Sequence, residues 1–357
     1  MNPTSHPTRR RAGVALAIAA LAVAAAATLS GFHVGLHDID PPGSNRASEL
    51  TTAQTVGIRT WQPHGGVRIE PDVTYGTRDD GTRLDLDVCS PAAEPANGQE
   101  RVGVLSIHGG SWARGDKAND DWRRVCEWFA SEGFVAFSVN YRLAPHNLFP
   151  AAIDDVSTAA EWVRDHAADY GIDPAHIGAF GGSAGGNLAA LLGTRGTGPL
   201  DEGSRVAAVA ELSGPVDLTD AGMRSAGASP LVHQIVQTYL GCTDLARCPQ
   251  AKNASATSFV DPTDPPFFIG HSQTEFIPLG ESTELQKLLQ ASDVPVELDV
   301  SAGAFHSIGI LDEGMRAKVA DFFRRTLGTV QEPTEPTVPT EAPSEGTVVA
   351  DGQPATR

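Results

Sequence analysis

Strand-like and helix-like patterns of apolar residues alternate through the middle of the chain. Short patterns of the kind found in buried strands lie at 102–107, 134–141, 176–180, 206–214, 265–271 and 294–300. Apolar positions at helical spacing lie at 121–133, 151–171, 282–293 and 313–328. This alternation predicts an α/β fold in which a mostly parallel sheet carries helices on both faces.

Residues 1–30 have the pattern of a segment that directs export. Arg9, Arg10 and Arg11 precede an uncharged, alanine-rich stretch at 12–29, and a basic region followed by an apolar one is typical of a signal peptide. The stretch is also about as long as a short membrane span, so an uncleaved N-terminal membrane anchor stays open as the alternative. Either outcome predicts an extracytoplasmic protein, secreted or anchored to the membrane.

The remaining boundaries follow changes in composition. An irregular linker is predicted at 31–66 and a single globular domain at 67–329. Within this domain the alternation is interrupted at about 222–260, and we interpret this insertion as a partial lid over a pocket. Residues 330–357 are rich in Pro, Thr and Glu. They cannot bury enough apolar surface to fold, so a disordered tail is predicted.

The net charge narrows the range of partners. The 357 residues carry a formal net charge of −18 with His neutral, whereas a surface that binds nucleic acid is basic. Nucleic acid is therefore excluded as a partner, and we interpret the acidity as a contribution to solubility. The sequence makes no prediction of the oligomeric state.

Four cysteines bear on disulfides and on metal binding. Cys242 and Cys248 flank the segment TDLAR, which one bridge can close, and export permits disulfides, so we predict that they pair. The pairing of Cys89 and Cys126 stays open, because connectivity cannot be read from sequence. There is no C-x-x-C motif and no His cluster beside the cysteines, so no metal site is expected.

One serine has the setting of a nucleophile. The sequence GGSAG at 181–185 fits G-x-S-x-G and lies directly after a predicted strand, at the start of a helix. Glycines allow a sharp turn there, and the helix N-terminus favours negative charge beside the serine oxygen. We predict Ser183 as the nucleophile, the alternative being an inert serine in a turn.

Backbone donors for an oxyanion are predicted nearby. HGGSW at 108–112 follows the first clear strand, and Gly109 and Gly110 can present their N–H groups because no side chain blocks the approach. The amide of Ala184, the residue after the nucleophile, adds a further donor. His108 is interpreted as a residue that shapes the loop.

A histidine in the last strand-to-helix loop is the candidate base. His306 lies on the same predicted edge of the sheet as Ser183 and follows it in the chain, which is the order expected for this architecture. In this position it can take the serine proton and later return it to the leaving group. The other histidines are interpreted as solvated or structural.

These motifs resemble the α/β-hydrolase fold and, more narrowly, the hormone-sensitive-lipase-like and feruloyl-esterase-like (BD-FAE-type) carboxylesterases of bacteria. The resemblance covers about residues 70–328. It is carried by HGGSWARGDK, VNYRLAPHNLFPAAIDDV, GIDPAHIGAFGGSAGGNLAALLG and VPVELDVSAGAFHSIG. It implies a serine esterase that needs no cofactor, and it does not determine which ester is cleaved. Where many relatives have a third glycine in the oxyanion loop, this chain has Ser111.

The resemblance leaves the acid of the catalytic triad open. Relatives carry an Asp in the loop that here reads GHSQTEFIP, at 270–278. Alignment on FIP places Thr274 at that position, whereas alignment on His271 places Glu275 there. We predict Glu275, because its longer side chain can compensate for a displacement. Asp217, after the preceding strand, is the alternative acid, and a site without an acid is the third arrangement.

The sequence therefore predicts an exported serine carboxylesterase that hydrolyses a small-molecule ester through an acyl-enzyme on Ser183. One alternative is a serine peptidase of the same fold. It is disfavoured because dipeptidyl-type peptidases usually bring a large extra domain, for which this chain has no room. The other is a degenerate hydrolase that binds a ligand or a partner without catalysis. Intact Ser183, His306 and oxyanion glycines disfavour it.

Overall fold

The structure is a computed structural model that describes residues 56–95 and 98–328. The predicted signal peptide or anchor at 1–30, the first part of the predicted linker and the predicted tail at 330–357 lie outside the described residues. Within the described ranges, no helix combines the length and the hydropathy that a membrane span requires.

A sheet of eight strands forms the centre of the described residues. The strands are β1 Val67–Thr77, β2 Arg83–Pro91, β3 Arg101–Ile107, β4 Val135–Val139, β5 Ile172–Gly182, β6 Ala208–Leu212, β7 Phe267–Ser272 and β8 Val296–Ser301. Their order across the sheet is β1-β2-β4-β3-β5-β6-β7-β8; the pairs β1–β2 and β2–β4 are antiparallel and the others are parallel. The strands β4, β6 and β7 are buried along their whole length, which explains their nearly continuous apolar sequences.

Helices cover both faces of this sheet. They are α1 Asp120–Ser131, α2 Ala151–Asp165, α3 Ala184–Thr194, α4 Asp220–Ala226, α5 Pro230–Leu240, α6 Pro249–Asn253, α7 Leu279–Ala291 and α8 Glu313–Leu327. Buried side chains of α1 and α8 share one core, and those of α2, α3, α7 and the insertion helices α4 to α6 share the core on the other face. The predicted α/β architecture, a mostly parallel sheet between helical layers, is confirmed.

An aromatic cluster holds α1 and α8 against β5. The ring centroid of Phe129 on α1 lies 5.1 Å from that of Phe180 on β5 and 5.9 Å from that of Phe323 on α8. All three side chains are fully buried, and the burial of one such side chain contributes about 1.5–3 kcal/mol to the free energy of unfolding. Since Phe180 lies three residues before Ser183, this packing fixes the end of β5 from which the serine projects.

The hairpin of β1 and β2 is the part of the sheet that the apolar pattern does not predict. β1 is an edge strand and is exposed along most of its length, so it has no continuous apolar run. β2 contains the buried Asp87, which pairs with Lys117 Nζ at 2.6 Å and with Arg123 Nη2 at 2.7 Å. A charge at a buried strand position interrupts the apolar pattern, and only the tertiary structure brings the partners that make its burial tolerable.

The last residues of the predicted linker belong to the domain. Ile58 and Trp61 are buried in the core on the α1–α8 face. Arg316 Nη1 on α8 donates a hydrogen bond to Thr60 Oγ1 at 2.9 Å. The folded region therefore begins before the predicted boundary at residue 67, because two apolar side chains, too few to form a periodic pattern, complete this core.

Two disulfides join the four cysteines. Cys242–Cys248 closes the segment after α5, as predicted, and Cys89–Cys126, whose pairing the sequence left open, joins β2 to α1. The Cα atoms lie 5.7 Å apart in each bridge, which is a usual separation for a disulfide. Disulfides are typical of oxidising compartments, so both bridges are consistent with an extracytoplasmic location.

Candidate active site

The carboxyl ends of β3 and β5 mark the point at which the chain changes direction across the sheet. The two strands are neighbours, and the chain continues from β3 to β4 on one side and from β5 to β6 on the other. In open α/β sheets, ligands bind in the crevice outside the carboxyl ends of the strands at such a point. The loops after β3, β5, β7 and β8 begin at this edge of the sheet and carry the candidate residues.

Ser183 lies in the sharp turn between β5 and α3. Its backbone has φ 57° and ψ −123°, a region that residues with a side chain rarely adopt. Its N–H donates to the Leu212 carbonyl at 2.8 Å. A Cβ at Gly181 would overlap the Gly185 carbonyl, and one at Gly185 would overlap the Ile107 carbonyl. Both ends of the G-x-S-x-G motif therefore require glycine, and the turn holds the serine at the N-terminus of α3.

Backbone amides beside Ser183 are available to bind an oxygen atom. In the described part of the chain, the N–H groups of Gly109, Gly110 and Ala184 donate to no protein acceptor. A Cβ at Gly109 would lie 3.2 Å from Ser183 Cβ, so the loop at 108–112, the oxyanion loop, runs directly alongside the serine turn. This arrangement can supply donors to an oxygen that becomes negatively charged.

Buried polar contacts fix the oxyanion loop. The rings of His108 and Tyr141 are stacked with centroids 4.4 Å apart, and Tyr141 Oη donates to the His108 carbonyl at 2.8 Å. Burial lowers the pKa of His108, so its ring is neutral at neutral pH, and Nδ1 donates to the Gly109 carbonyl at 2.9 Å. Lys117, a few residues further on, forms the buried ion pair with β2. The loop is thus anchored to its surroundings at both ends.

Glu275 and His306 are in direct contact. Glu275 Oε2 accepts a hydrogen bond from His306 Nδ1; the Glu275 side chain is fully buried, and that of His306 is 22% exposed. With the hydrogen on Nδ1, Nε2 is the ring nitrogen that can act as a base. The Phe276 ring packs edge-on against the imidazole, with centroids 5.6 Å apart, so the ring is oriented from two sides.

Hydrogen bonds between the loops after β7 and β8 set the register of this contact. Two of them run from Ser272 Oγ to the Phe305 carbonyl at 2.6 Å and from the Gln273 N–H to the Ser301 carbonyl at 3.0 Å. Thr274 donates twice to the Gly303 carbonyl, from its N–H at 3.0 Å and from Oγ1 at 3.1 Å. Because Thr274 is bound to the backbone in this way, Glu275 is the residue that faces His306.

Asp217, the alternative acid, lies elsewhere. Its Oδ1 accepts hydrogen bonds from the Thr219 N–H at 3.0 Å and from Thr219 Oγ1 at 2.7 Å, beside the first turn of α4. Its backbone N–H donates to Glu281 Oε2 at 2.9 Å. Of the two candidate acids, the structure brings Glu275 to His306 and leaves Asp217 in the loop before α4.

The Ser183 turn and the His306 loop pack against each other through neighbouring residues. A Cβ at Gly182 would overlap Ser307 Oγ, and the Ser307 N–H donates to Ser213 Oγ at 3.1 Å. In the described part of the chain, no direct hydrogen bond joins Ser183 to His306. Catalytic hydrogen bonds are often long before a substrate binds and shorten in the complex, so the packing is compatible with proton transfer between the two side chains.

Strained backbone is concentrated around the same edge of the sheet. Positive φ values of 55–57° occur at Ser111, Trp112, Ser183, Ser213 and Ser307. Such conformations cost about 1–3 kcal/mol each and persist only where the surrounding structure imposes them. Strain of this kind accumulates at functional sites, which is a separate reason to place the site here.

The insertion borders the oxyanion loop. Tyr239 on α5 stacks on Trp112, with centroids 4.2 Å apart and planes within 3°, and its carbonyl accepts a hydrogen bond from the Phe149 N–H at 3.1 Å. A cavity of about 670 Å³ opens within the insertion, and none of the candidate catalytic residues lines it. The insertion therefore has a cavity of its own as well as a contact with the site.

Glu211 is a buried carboxyl near the site that the sequence interpretation did not single out. Oε2 accepts the Gly214 N–H at 2.7 Å, and Oε1 has no partner among the described residues. Burial, together with the negative charge of Glu275, raises the pKa of Glu211 to about 8, so the carboxyl is protonated at neutral pH. A glutamate inside the otherwise apolar run VAAVAELSG is the signal that could have identified it.

Glu211→Gln is expected to flatten the pH dependence of stability. In the folded state the pKa of Glu211 lies at about 8, above its ordinary value of 4.5. Its contribution to the free energy of unfolding is therefore complete below pH about 4.5 and is lost as the pH rises to about 8. Gln keeps an acceptor for Gly214 and cannot ionise. Between pH about 5 and 8.5, the Tm of the wild type should fall by several degrees relative to that of the variant. The exposed Glu202→Gln is the control, and parallel curves for wild type and Glu211→Gln would contradict the raised pKa.

The fold and the site geometry define the class of the protein. A strained serine between β5 and α3, and a histidine paired with a buried carboxylate at the same edge of a mostly parallel sheet, are features of the α/β-hydrolase fold. Residues 86–289, more than half of the chain, match the family model BD-FAE. The chain belongs to the BD-FAE family.

Similar proteins are named as ester hydrolases. The chain is 27% identical over 298 residues to "Probable carboxylic ester hydrolase LipM" of Mycobacterium tuberculosis, which covers 80% of this chain and 68% of LipM. It is 29% identical over 269 residues to "Esterase LipQ" of the same organism, over 72% of this chain and 62% of LipQ. The structure of the Thermogutta terrifontis esterase Est2 with propionate bound has a TM-score of 0.59 and 25% identity, over 74% of this chain and 95% of that chain. The protein is a carboxylic-ester hydrolase of the α/β-hydrolase fold.

Proposed function

We propose that the protein hydrolyses a small-molecule carboxylic ester through an acyl-enzyme on Ser183, with His306 as the general base and acid and Glu275 as the acid that orients it. The observation that carries this proposal is the contact between buried Glu275 and His306 Nδ1, at the edge of the sheet where Ser183 occupies a strained turn. A carboxylate in this position selects the imidazole tautomer whose Nε2 is free to accept a proton.

In acylation, His306 Nε2 takes the proton of Ser183 Oγ while that oxygen attacks the ester carbonyl carbon. Glu275 stabilises the resulting imidazolium through Nδ1–H. The carbonyl oxygen becomes negatively charged and is bound by the three oxyanion amides. The bond to the alcohol oxygen then breaks, and the imidazolium protonates the leaving alcohol. In deacylation a water molecule takes the place of the alcohol, and the same steps release the carboxylic acid and restore Ser183.

We propose a short acyl group as the substrate class. The Est2 structure contains propionate, which is a short carboxylate. In this chain, Trp112 of the oxyanion loop is stacked against Tyr239 of the insertion, and each of the two rings is 1% exposed. Rigid aromatic rings in this place favour a small acyl chain over a long one.

We further propose that the protein works outside the cytoplasm. The two disulfides support this location, and so does the basic and then apolar pattern of residues 1–30. Expression of the full chain, followed by fractionation and mass measurement of the N-terminus, separates a cleaved signal from a retained anchor. Accumulation of a reduced, uncleaved protein in the cytoplasm would contradict the proposed location.

A fluorophosphonate probe and a panel of esters test the enzymatic proposal. We expect the probe to label the wild-type protein once and peptide mapping to place the label on Ser183. p-Nitrophenyl acetate, propionate and butyrate should be turned over faster than the octanoate. Acetylated sugars then test a carbohydrate as the alcohol, and feruloyl esters test an aromatic acyl group. Aminoacyl p-nitroanilides should not be cleaved, since their cleavage would indicate a peptidase. The absence of both labelling and turnover would indicate a binding protein.

A further inference from the structure

His271 is a buried histidine that touches the acid of the site on its second oxygen. His271 Nε2 lies 3.2 Å from Glu275 Oε1, and both side chains are 0% exposed. The other oxygen, Oε2, is the one bound to His306. The two oxygens of one buried carboxylate therefore face two different imidazole rings.

The hydrogen-bond partner of Nδ1 defines the orientation of the His271 ring. Nδ1 lies 2.7 Å from the Ser272 carbonyl oxygen. A carbonyl only accepts hydrogen bonds, so Nδ1 carries a hydrogen. Ser272 Oγ in turn donates to the Phe305 carbonyl at 2.6 Å, so the residue that orients His271 also holds the loop of His306. Nε2 is left as the nitrogen whose protonation can vary.

Because the contact between His271 Nε2 and Glu275 Oε1 is buried, the protonation state of Nε2 has to suit a carboxylate. Among the described residues, neither His271 Nε2 nor Glu275 Oε1 has a well-aligned hydrogen-bond partner, and the two atoms lie at ion-pair distance from each other. A lone pair on Nε2 would face the lone pairs of a carboxylate and repel them. A buried carboxylate is stable only when it is paired or hydrogen-bonded, so a hydrogen on Nε2 satisfies both atoms.

Among the described residues, the neighbouring elements β6 and α7 each contribute a buried carboxyl. Glu211 on β6 lies on the same face of the sheet as His271, since the register pairs Glu211 with Ile269, two residues before His271. Glu281 on α7 is buried, and its Oε2 accepts hydrogen bonds from the backbone N–H groups of Val216 and Asp217. Neither carboxyl can supply positive charge to Glu275. Of the described groups facing Glu275, His271 is therefore the one able to do so before His306 takes a proton.

We propose that His271 is a positioning residue for the reaction: its Nε2–H donates to Glu275 Oε1, which keeps Glu275 ionised and turns Oε2 towards His306 Nδ1. This inference rests on the ester hydrolysis proposed above and adds a fourth residue to the catalytic group. His271 acts on the reacting atoms through Glu275 and His306.

A matched pair of substitutions separates this role from packing. His271→Asn keeps an N–H near the position of Nδ1 and removes the group that faces Glu275, whereas His271→Gln presents an N–H to Glu275. With p-nitrophenyl propionate as the probe, His271→Asn should lower kcat by about 10²-fold with KM within about threefold, less than the loss of the acid itself. His271→Gln should stay within about tenfold of the wild type. Equal losses in both folded variants, or a loss confined to KM, would overturn the proposal.

A double variant tests whether the effect passes through Glu275. In a Glu275→Gln background, His271→Asn should lower kcat by less than about threefold further, since residues that act as one unit are not additive. Losses that multiply would show that His271 acts on the site independently of Glu275, contrary to the proposal.

Nitrogen NMR of ¹⁵N-histidine-labelled wild-type protein gives a readout that does not need turnover. At neutral pH we expect both ring nitrogens of His271, assigned by their loss in His271→Gln, to carry hydrogen. Nε2 should lose its hydrogen in Glu275→Gln. A bare Nε2 in the wild type would refute the role of His271 even if the ester is hydrolysed. A protonated Nε2 in a protein that hydrolyses no ester would instead contradict the proposed ester hydrolysis and leave the contact of His271 with Glu275 supported.

Discussion

Ser183→Ala is expected to lower kcat for a short p-nitrophenyl ester by about 10⁶-fold, the loss seen when a triad loses its nucleophile. The alanine has no oxygen to form the acyl-enzyme, and His306 has no hydroxyl to deprotonate. The oxyanion amides and the binding surface stay in place, so a residual rate of about 10³–10⁴ over water is expected. The measurement is the initial rate with p-nitrophenyl propionate, together with labelling by the fluorophosphonate probe.

The control is Ser131→Ala on α1, a helix on the face of the sheet opposite α3. Ser131 Oγ donates only to the Trp128 carbonyl of its own helix, at 2.7 Å, so kcat should not change. Ser183→Ala should keep the Tm of the wild type, because alanine replaces the side chain without adding bulk to the turn. Full activity in a folded Ser183→Ala protein would show that a residue other than Ser183 is the nucleophile.

Glu275→Gln is expected to lower kcat by about 10⁴-fold with little change in KM, the loss seen when the acid of such a triad becomes an amide. The amide can present an N–H to His306 Nδ1, which favours the tautomer with the hydrogen on Nε2, and that tautomer cannot accept the serine proton. An amide also leaves the imidazolium of the transition state without an anionic partner. Steady-state kinetics with p-nitrophenyl propionate measure both kcat and KM. Equal Tm values for the variant and the wild type show that both proteins are folded.

Asp217→Asn is the matched control for this substitution. Asp217 accepts hydrogen bonds from Thr219 at the start of α4 and makes no contact with His306, so kcat should stay within about threefold of the wild type. A near-neutral Glu275→Gln beside a large loss in Asp217→Asn would assign the acid role to Asp217. Small losses in both would indicate an enzyme that works without an acid.

The local motifs were predictable because short-range geometry imposes their residues. GGSAG after a strand requires glycines at 181 and 185, where a Cβ would overlap a backbone carbonyl, and the same close packing requires Gly109 in the oxyanion loop. The mostly parallel sheet and its helical layers also follow from the apolar pattern, since buried parallel strands are continuously apolar. The edge hairpin escaped prediction, because an exposed strand and a buried charge both lack that pattern.

The acid could not be chosen from the sequence. Two alignments of GHSQTEFIP differed by one residue, and nothing local decides between Thr274 and Glu275. The decision comes from β8, whose following loop accepts both hydrogen bonds of Thr274 at the Gly303 carbonyl. A partner some thirty residues away in the chain thus decides which side chain reaches His306.

The sequence by itself determined the class of fold, the sharp turn at Ser183 and the place of His306 after the last strand, because each depends on periodicity or on contacts within a few residues. The tertiary structure decided the contact of Glu275 with His306, the Cys89–Cys126 bridge and the placing of His271 and Glu211 near Glu275. The physical reason is that the position of a charged residue in the sequence does not identify the residue that pairs with it once it is buried. Its partners, and therefore its protonation state, are set by whichever strands and loops the fold brings next to it.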